Sequence, residues 1–139
     1  LYKRFANRAA LLLAVEREVI DEFAELVVRA AGGKSPRAQL RAIAQSYRRF
    51  ALAHPRIYVF VYSGLTPRDA DMTEARRRAV TPVIDALDVL VGRKRALPAA
   101  RVLTAFLHGF VSMEIASEFR LGPGVEDAFR LGLDLIIGG

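Results

Sequence analysis

The sequence has no cysteine and no tryptophan, and its only histidines are His54 and His108. Without cysteine, neither a disulfide framework nor a thiolate metal site can form, and two histidines are too few for a histidine-rich metal centre. The longest obvious apolar run, residues 9–15, is far shorter than the roughly 18 residues of a membrane-spanning helix. We therefore expect a cytoplasmic protein with no metal, no other cofactor and no membrane partner.

Motifs of common catalytic sites are also missing from the sequence. It contains no phosphate-binding glycine loop, no metal-ligand spacing and no nucleophile elbow. His108 and Glu114 are six residues apart, about 240° around a helix, so they cannot meet on one face. We predict that the protein is not an enzyme, and a small helical enzyme is kept only as an alternative.

Positive charge is in excess and is concentrated at the start of the chain. The formal net charge is +6, from 21 Lys and Arg against 15 Asp and Glu. Residues 1–8 contain Lys3, Arg4 and Arg8 and no acidic residue. This bias is typical either of a nucleic-acid contact at the amino end or of a solvated, arginine-rich surface, and both interpretations stay open.

The apolar residues recur mostly at spacings of three and four, which predicts an all-α helical bundle in a single domain. Asn7 and Ser35 are placed as helix caps, and the acidic side chains from Glu16 to Glu25 should lie mostly outside. Residues 57–62 have the composition of a strand, but no other segment offers a partner strand, so we predict a helix. Pro82 should kink or break its helix, and residues 92–95 should form a basic loop. The predicted helices span residues 8–31, 36–54, 57–62, 69–91, 98–121 and 125–137.

The predicted helix 98–121 has two different faces. One face carries Glu114 and large side chains, including Leu103, Phe106 and Phe110. The opposite face carries small side chains. A small face lets another helix approach closely, and the last helix has an apolar arc wider than one neighbour needs. This pattern favours contact with a second copy of the chain; the alternative is that both faces pack within one monomer. The candidate dimer interface comprises Ala105, Gly109, Ser112, Ala116, Phe129, Leu133 and Ile136.

Aromatic and polar residues of the middle helices suggest a ligand pocket. Ligand pockets are mostly apolar and aromatic with a few polar groups, but the same residues also suit an ordinary core, and the choice stays open. Glu114 must be paired if it is buried. We favour an arginine of the same chain as its partner, with a polar group of a ligand as the alternative. The candidate effector site comprises Tyr47, Phe50, Tyr58, Tyr62, Leu103, Phe106, Phe110 and Glu114.

The start LYKRFANRAALLLAV resembles the junction after the DNA-recognition helix in the TetR (tetracycline-repressor) family of transcriptional regulators. Leu1, Tyr2, Phe5, Asn7, Arg8 and Leu11 match the family pattern position for position. The stretches YRRFALAHPRIYVFVYSG, AFLHGFVSMEIA and FRLGLDLIIGG resemble the ligand-binding and dimerization half of one subgroup. The resemblance covers essentially the whole chain, and the carboxyl-terminal half of the family is the more variable part.

This resemblance implies an all-helical homodimer in which the last two helices of each subunit form a four-helix bundle. Residues 1–8 would be the tail of a helix-turn-helix DNA-binding domain, most of which is missing here, and residues 9–139 the ligand-binding and dimerization domain. The candidate contacts to the DNA backbone are then Tyr2, Lys3 and Arg8. Contacts of this kind add affinity for DNA but little sequence specificity.

The resemblance also implies a function. A small-molecule effector bound among the aromatic helices would move helix 8–31 and change the spacing of two recognition helices. That spacing must suit major grooves about 34 Å apart. We therefore expect a ligand-responsive repressor of operator DNA, with a helical dimerization module that has no pocket as the alternative.

Overall fold

The helices observed in the structure follow most of the predicted ones. The structure is a computed structural model that describes residues 7–62 and 70–138, and within these ranges all regular structure is helical. The segment between the predicted helices 57–62 and 69–91 lies outside the described residues. The elements are α1 (Arg8–Ala31), α2 (Pro36–Ala53), α3 (Pro55–Val61), α4 (Ala70–Val91), α5 (Arg93–Ile115) and α6 (Val125–Leu133), and α6 continues into a π-helical segment (Asp134–Gly138).

The first helices begin where the capping residues predict. The Asn7 side chain accepts a hydrogen bond from the Ala10 amide at 2.9 Å, and the Ser35 hydroxyl accepts one from the Ala38 amide at 3.4 Å. Each cap satisfies an amide that would otherwise lack a partner in the first turn. The strand-like run after Pro55 is helical, as the absence of a partner strand predicts.

The boundary between α4 and α5 differs from the prediction. Helix α4 runs unbroken through Pro82. The basic loop expected at residues 92–95 is reduced to Gly92, whose φ of +86° suits a residue without a Cβ. One such residue is enough to separate the two helices, so α5 begins at Arg93 and Pro98 lies inside it.

Helix α5 ends at Ile115, six residues before the predicted end at Leu121. The amide of Glu118 donates to the Met113 carbonyl at 2.9 Å, and the amide of Ser117 donates to the Glu114 carbonyl at 3.0 Å. These two bonds form a Schellman motif, in which Ser117 takes the left-handed position with φ +57°. Leu121 is fully exposed, so it does not continue the apolar face of the helix.

The core is formed where α2, α4 and α5 meet, and α1 and α6 cover it from two sides. Its most buried side chains include Leu40 from α2, Leu103 and Val111 from α5, and Phe129 from α6. By length and composition α5 could cross a membrane, a test that the core helix of a soluble protein also passes. Here α5 packs against α4 and supplies core residues such as Leu103, Leu107 and Val111.

Candidate ligand cavity

A cavity of about 240 Å³ lies among the first five helices. Helix α1 forms one wall with an apolar stripe at spacings of three and four residues, which the helical repeat places on one face. Eleven of the sixteen lining residues are apolar. The lining consists of Val19, Ile20, Phe23 and Val27 from α1, Ile43, Tyr47 and Phe50 from α2, Tyr58, Val61 and Tyr62 from α3 and its end, Arg76, Ala79, Val80 and Val83 from α4, and Thr104 and Leu107 from α5.

Three tyrosines of the cavity wall and the adjacent His108 form a polar group that we call the tyrosine cluster: Tyr47, Tyr58, Tyr62 and His108. The Tyr47 hydroxyl is hydrogen-bonded to the Tyr58 hydroxyl and, at 3.2 Å, to the Tyr62 hydroxyl. The Tyr58 hydroxyl is also bonded to His108 Nδ1 at 2.6 Å, and the Tyr62 ring stacks on His108 with 4.2 Å between ring centroids. Residues from three helices are therefore joined in one hydrogen-bonded chain.

Burial governs the chemistry of this cluster. Tyr47 and Tyr58 are buried, and loss of hydration raises the pKa of both phenols above the ordinary value of tyrosine. Both hydroxyls therefore keep their protons at neutral pH and can donate hydrogen bonds. Tyr62 is 46% exposed and is the member of the cluster most open to the surroundings.

Among the described residues that line the cavity, Arg76 has the one cationic side chain. Its Nη2 donates to Glu16 Oε1 of α1 at 3.2 Å. Glu16 is only 2% exposed, so its predicted place on the outer face of α1 is wrong. A buried carboxylate needs a partner, and the pair with Arg76 joins the cavity wall on α4 to α1.

The structure divides the predicted effector residues into two groups. Tyr47, Phe50, Tyr58 and Tyr62 line the cavity, and their role in effector binding stays a prediction. The others lie elsewhere because α5 directs Thr104 and Leu107, rather than the neighbouring face, toward the cavity. Leu103 is buried in the core, Phe106 and Phe110 pack on Phe129, and Glu114 is ion-paired.

Glu114 has the arginine partner that the sequence analysis favours. Arg48 Nε donates to Glu114 Oε1 at 2.7 Å and Arg48 Nη2 donates to Glu114 Oε2 at 3.0 Å. Arg48 also bonds Glu126 of α6, and its guanidinium lies 5.1 Å from the centroid of the Phe129 ring. The carboxylate of Glu114 raises the pKa of Arg48, and the pair joins α2, α5 and α6 rather than facing the cavity.

The predicted dimer residues also fall into groups. Phe129 and Leu133 are 0% and 1% exposed within a single chain, so they cannot form its contact surface with a second subunit. They cover the core because α6 packs on α5 through Gly132, where a Cβ would lie 2.4 Å from Phe106 Cζ. Of the rest, Ala105 and Ala116 are exposed, Gly109, Ser112 and Ile136 are half-buried, and Ala116 caps α5 rather than lying inside it.

The predicted contacts to the DNA backbone lie only partly within the described residues. Tyr2 and Lys3 lie outside the described residues, and Arg8 is exposed at the first turn of α1. Within residues 7–62 and 70–138, no group of three or more His, Asp or Glu side chains is placed to hold a metal ion.

The contribution of α1 and α4 to the cavity was not evident from the sequence. Val19, Phe23 and Val27 form a recognisable apolar stripe, but the same stripe would serve an ordinary core. Arg76 lies in the run Arg76 to Arg78, which has the appearance of a solvated helix face. Only the packing of five helices around the cavity distinguishes these residues from core and surface.

Comparison with known proteins relates the chain to a family of regulators. Residues 40–136 match the family model described as "Tetracyclin repressor-like, C-terminal domain". The chain is 32% identical over 117 residues to the uncharacterised HTH-type transcriptional regulator Rv0681 of Mycobacterium tuberculosis, an alignment that covers 83% of this chain and 54% of that protein. The chain therefore spans about half the length of this curated relative.

Solved structures show the same fold at low sequence identity. A protein of unknown function from Rhodococcus sp. RHA1 has a TM-score of 0.83 and 22% identity, with 97% of this chain and 75% of that chain covered. A candidate regulatory protein, SCO4313, has a TM-score of 0.81 and 23% identity, with 99% of this chain and 77% of that chain covered. Both likenesses concern the fold alone.

Proposed function

Because the chain belongs to the TetR family of transcriptional regulators, we propose that it is the regulatory part of a repressor controlled by a small molecule. A mostly apolar effector occupies the cavity among α1 to α5, and its binding changes the affinity of the complete protein for operator DNA. The observation that carries this proposal is the position of α1. This helix forms one wall of the cavity and begins at the residues that resemble the end of a DNA-recognition helix.

Helix α1 is suited to transmit a displacement over a long distance. It has 24 residues, so at about 1.5 Å per residue its length is about 36 Å. Val19, Ile20, Phe23 and Val27 contact the cavity, whereas Arg8 lies at the far end. A ligand that pushes against Phe23 tilts the helix as a stiff rod, because its backbone hydrogen bonds resist bending. The largest movement is then at the end nearest the DNA-binding domain.

The Arg76–Glu16 pair provides a second connection between cavity and α1. Arg76 lines the cavity, and Glu16 lies closer to the amino end of α1 than the apolar stripe does. A ligand that displaces Arg76 weakens the partnership of a buried carboxylate. The loss of this ion pair across the two helices favours a new position of α1.

We propose that the protein acts as a homodimer, and exposed apolar side chains on the last two helices support this. Val102 and Met113 of α5, Leu131 of α6 and Leu135 of the π-helical segment are all exposed in the single chain, and Leu135 is 77% exposed. Contact with a second copy through these residues would remove their apolar surface from water. The two α1 helices would then set the spacing of the two DNA-binding domains.

A cavity-filling substitution tests the effector site. Val80 lines the cavity and is half-exposed, so Val80→Phe places a ring in the ligand space without displacing a buried neighbour. Compounds are first selected because they raise the melting temperature of the complete protein, and operator DNA is selected from a random pool. We expect these compounds to weaken operator binding about 5- to 150-fold in the wild type and to have little effect in Val80→Phe.

The matched control is Val89→Phe, which makes the same change on the same helix at an exposed position outside the cavity. This variant should respond to the compounds as the wild type does. The proposal is wrong if compounds that bind directly leave operator affinity unchanged, or if both variants lose the response equally. A dimeric protein that binds no compound would instead be a dimerization module without a pocket.

A further inference from the structure

We propose that the tyrosine cluster holds the one polar group of an uncharged effector, whose apolar body fills the rest of the cavity. This inference rests on the proposed function, because it takes the cavity as the effector site. The lining from α1 and α4 is apolar apart from Arg76, which is paired with Glu16, and the three tyrosine hydroxyls are gathered by α2 and α3. A ligand that matches this distribution has a single polar end.

The hydrogen-bonded chain has an open end at Tyr62. If His108 Nδ1 accepts from Tyr58, then Tyr47 donates to Tyr58 and Tyr62 donates to Tyr47, which leaves the lone pairs of Tyr62 for a ligand donor. If Nδ1 carries the proton, each bond reverses and the Tyr62 hydroxyl donates to a ligand acceptor. The two states correspond to the two tautomers of the imidazole. The cluster can therefore bind either a hydroxyl or a carbonyl group.

Charged groups are disfavoured beside the buried members of the cluster. Burial already holds Tyr47 and Tyr58 in their neutral form, and the same loss of hydration penalises a carboxylate placed beside them. An ammonium group has no counter-ion there, because no Asp or Glu is found among the described residues that line the cavity. Arg76 is paired with Glu16, so the cavity wall offers no unbalanced charge at that position.

Five probes with one apolar skeleton test this inference on the wild-type chain by calorimetry. They are naphthalene, 1-naphthol, 1-acetylnaphthalene, 1-naphthoate and 1-naphthylmethylammonium. We expect 1-naphthol and 1-acetylnaphthalene to bind about 3- to 10-fold more tightly than naphthalene, because one net hydrogen bond increases affinity by about this factor. The two ions should bind more weakly than naphthalene.

Variants of the cavity wall locate the polar contact. Tyr62→Phe removes only a hydroxyl from a partly exposed residue and should reduce the affinities of 1-naphthol and 1-acetylnaphthalene to that of naphthalene. Thr104→Val, which removes a hydroxyl from another part of the wall, should leave these differences intact.

Three outcomes would overturn the inference. One is a charged probe that binds best, with Arg76→Gln abolishing the binding of 1-naphthoate. Another is an equal preference for 1-naphthol in the wild type and Tyr62→Phe, in which case only the role of the cluster fails. The third is that none of the five probes binds; the proposed function is then decided separately by the operator measurement.

Discussion

Arg48 is the residue on which the packing of three helices depends most directly. Its side chain is 13% exposed and that of Glu114 is 12% exposed, so both charges are largely removed from water. The second carboxylate, Glu126, lies at the start of α6, and the Phe129 ring is next to the guanidinium. The position of Glu114 on a large apolar face predicts an ion pair. The sequence does not identify which arginine is the partner.

Replacing Arg48 by Met should be strongly destabilising. The substitution keeps an unbranched side chain but leaves the Glu114 carboxylate largely buried without its cation. We expect the free energy of unfolding to fall by about 3 kcal/mol, measured by denaturant titration at fixed protein concentration.

The matched control for this prediction is Arg41→Met on the same helix. The Arg41–Asp134 pair is much more exposed, so its loss should cost less than about 1 kcal/mol. Adding Glu114→Gln to Arg48→Met should recover part of the loss, because the uncompensated charge is removed. Equal losses in the two arginine variants would contradict this account of Arg48.

At the scale of elements, helix starts are more predictable than helix ends. Asn7, Ser35 and Pro36 mark two starts correctly because a cap acts on amides within three residues of itself. The end of α5 was not predictable in the same way. Its left-handed position is occupied by Ser117 rather than the usual glycine, and the apolar residues up to Leu121 continue the helical pattern.

The packing of α6 on α5 should depend on the absence of a side chain at Gly132. In Gly132→Ala the new Cβ would lie 2.4 Å from Phe106 Cζ, whose ring is stacked on Phe129. Overpacking of this kind costs about 1 to 3 kcal/mol, partly offset by up to about 1 kcal/mol from the better helix propensity of alanine. We expect a net loss in the free energy of unfolding.

A double-mutant cycle with Phe106→Leu checks the cause. Leucine lacks the ring atoms that the new Cβ would meet, so Gly132→Ala should be neutral or stabilising in the Phe106→Leu background. A loss of the same size in both backgrounds would show that contact with Phe106 is not the reason for glycine at this position.

At the scale of the whole molecule, the sequence predicts an all-helical TetR fold but not the division between cavity and core. Tyr47 and Phe50 of α2 and Tyr58 of α3 line the cavity, whereas Phe106 and Phe110 of α5 pack against Phe129 of α6. Both groups are aromatic, and both occur within amphipathic helical patterns. The distinction depends on how five helices pack together. The residue pattern of a single helix does not contain that information.

The distance between the two α1 helices of a dimer tests the central claim most directly. The 139-residue chain has no cysteine, so Ala9→Cys, at an exposed position near the start of α1, gives one spin-label site per subunit. Leu135→Glu in this background should abolish the interspin distance, because it places a charge on the proposed dimer surface.

Pulsed electron paramagnetic resonance would then measure this distance with and without a compound that raises the melting temperature. The account predicts one defined distance that shifts by more than about 1 to 2 Å when the compound is bound, and no shift in Val80→Phe. The absence of any defined distance, or an identical distance in the free and bound protein, would contradict it.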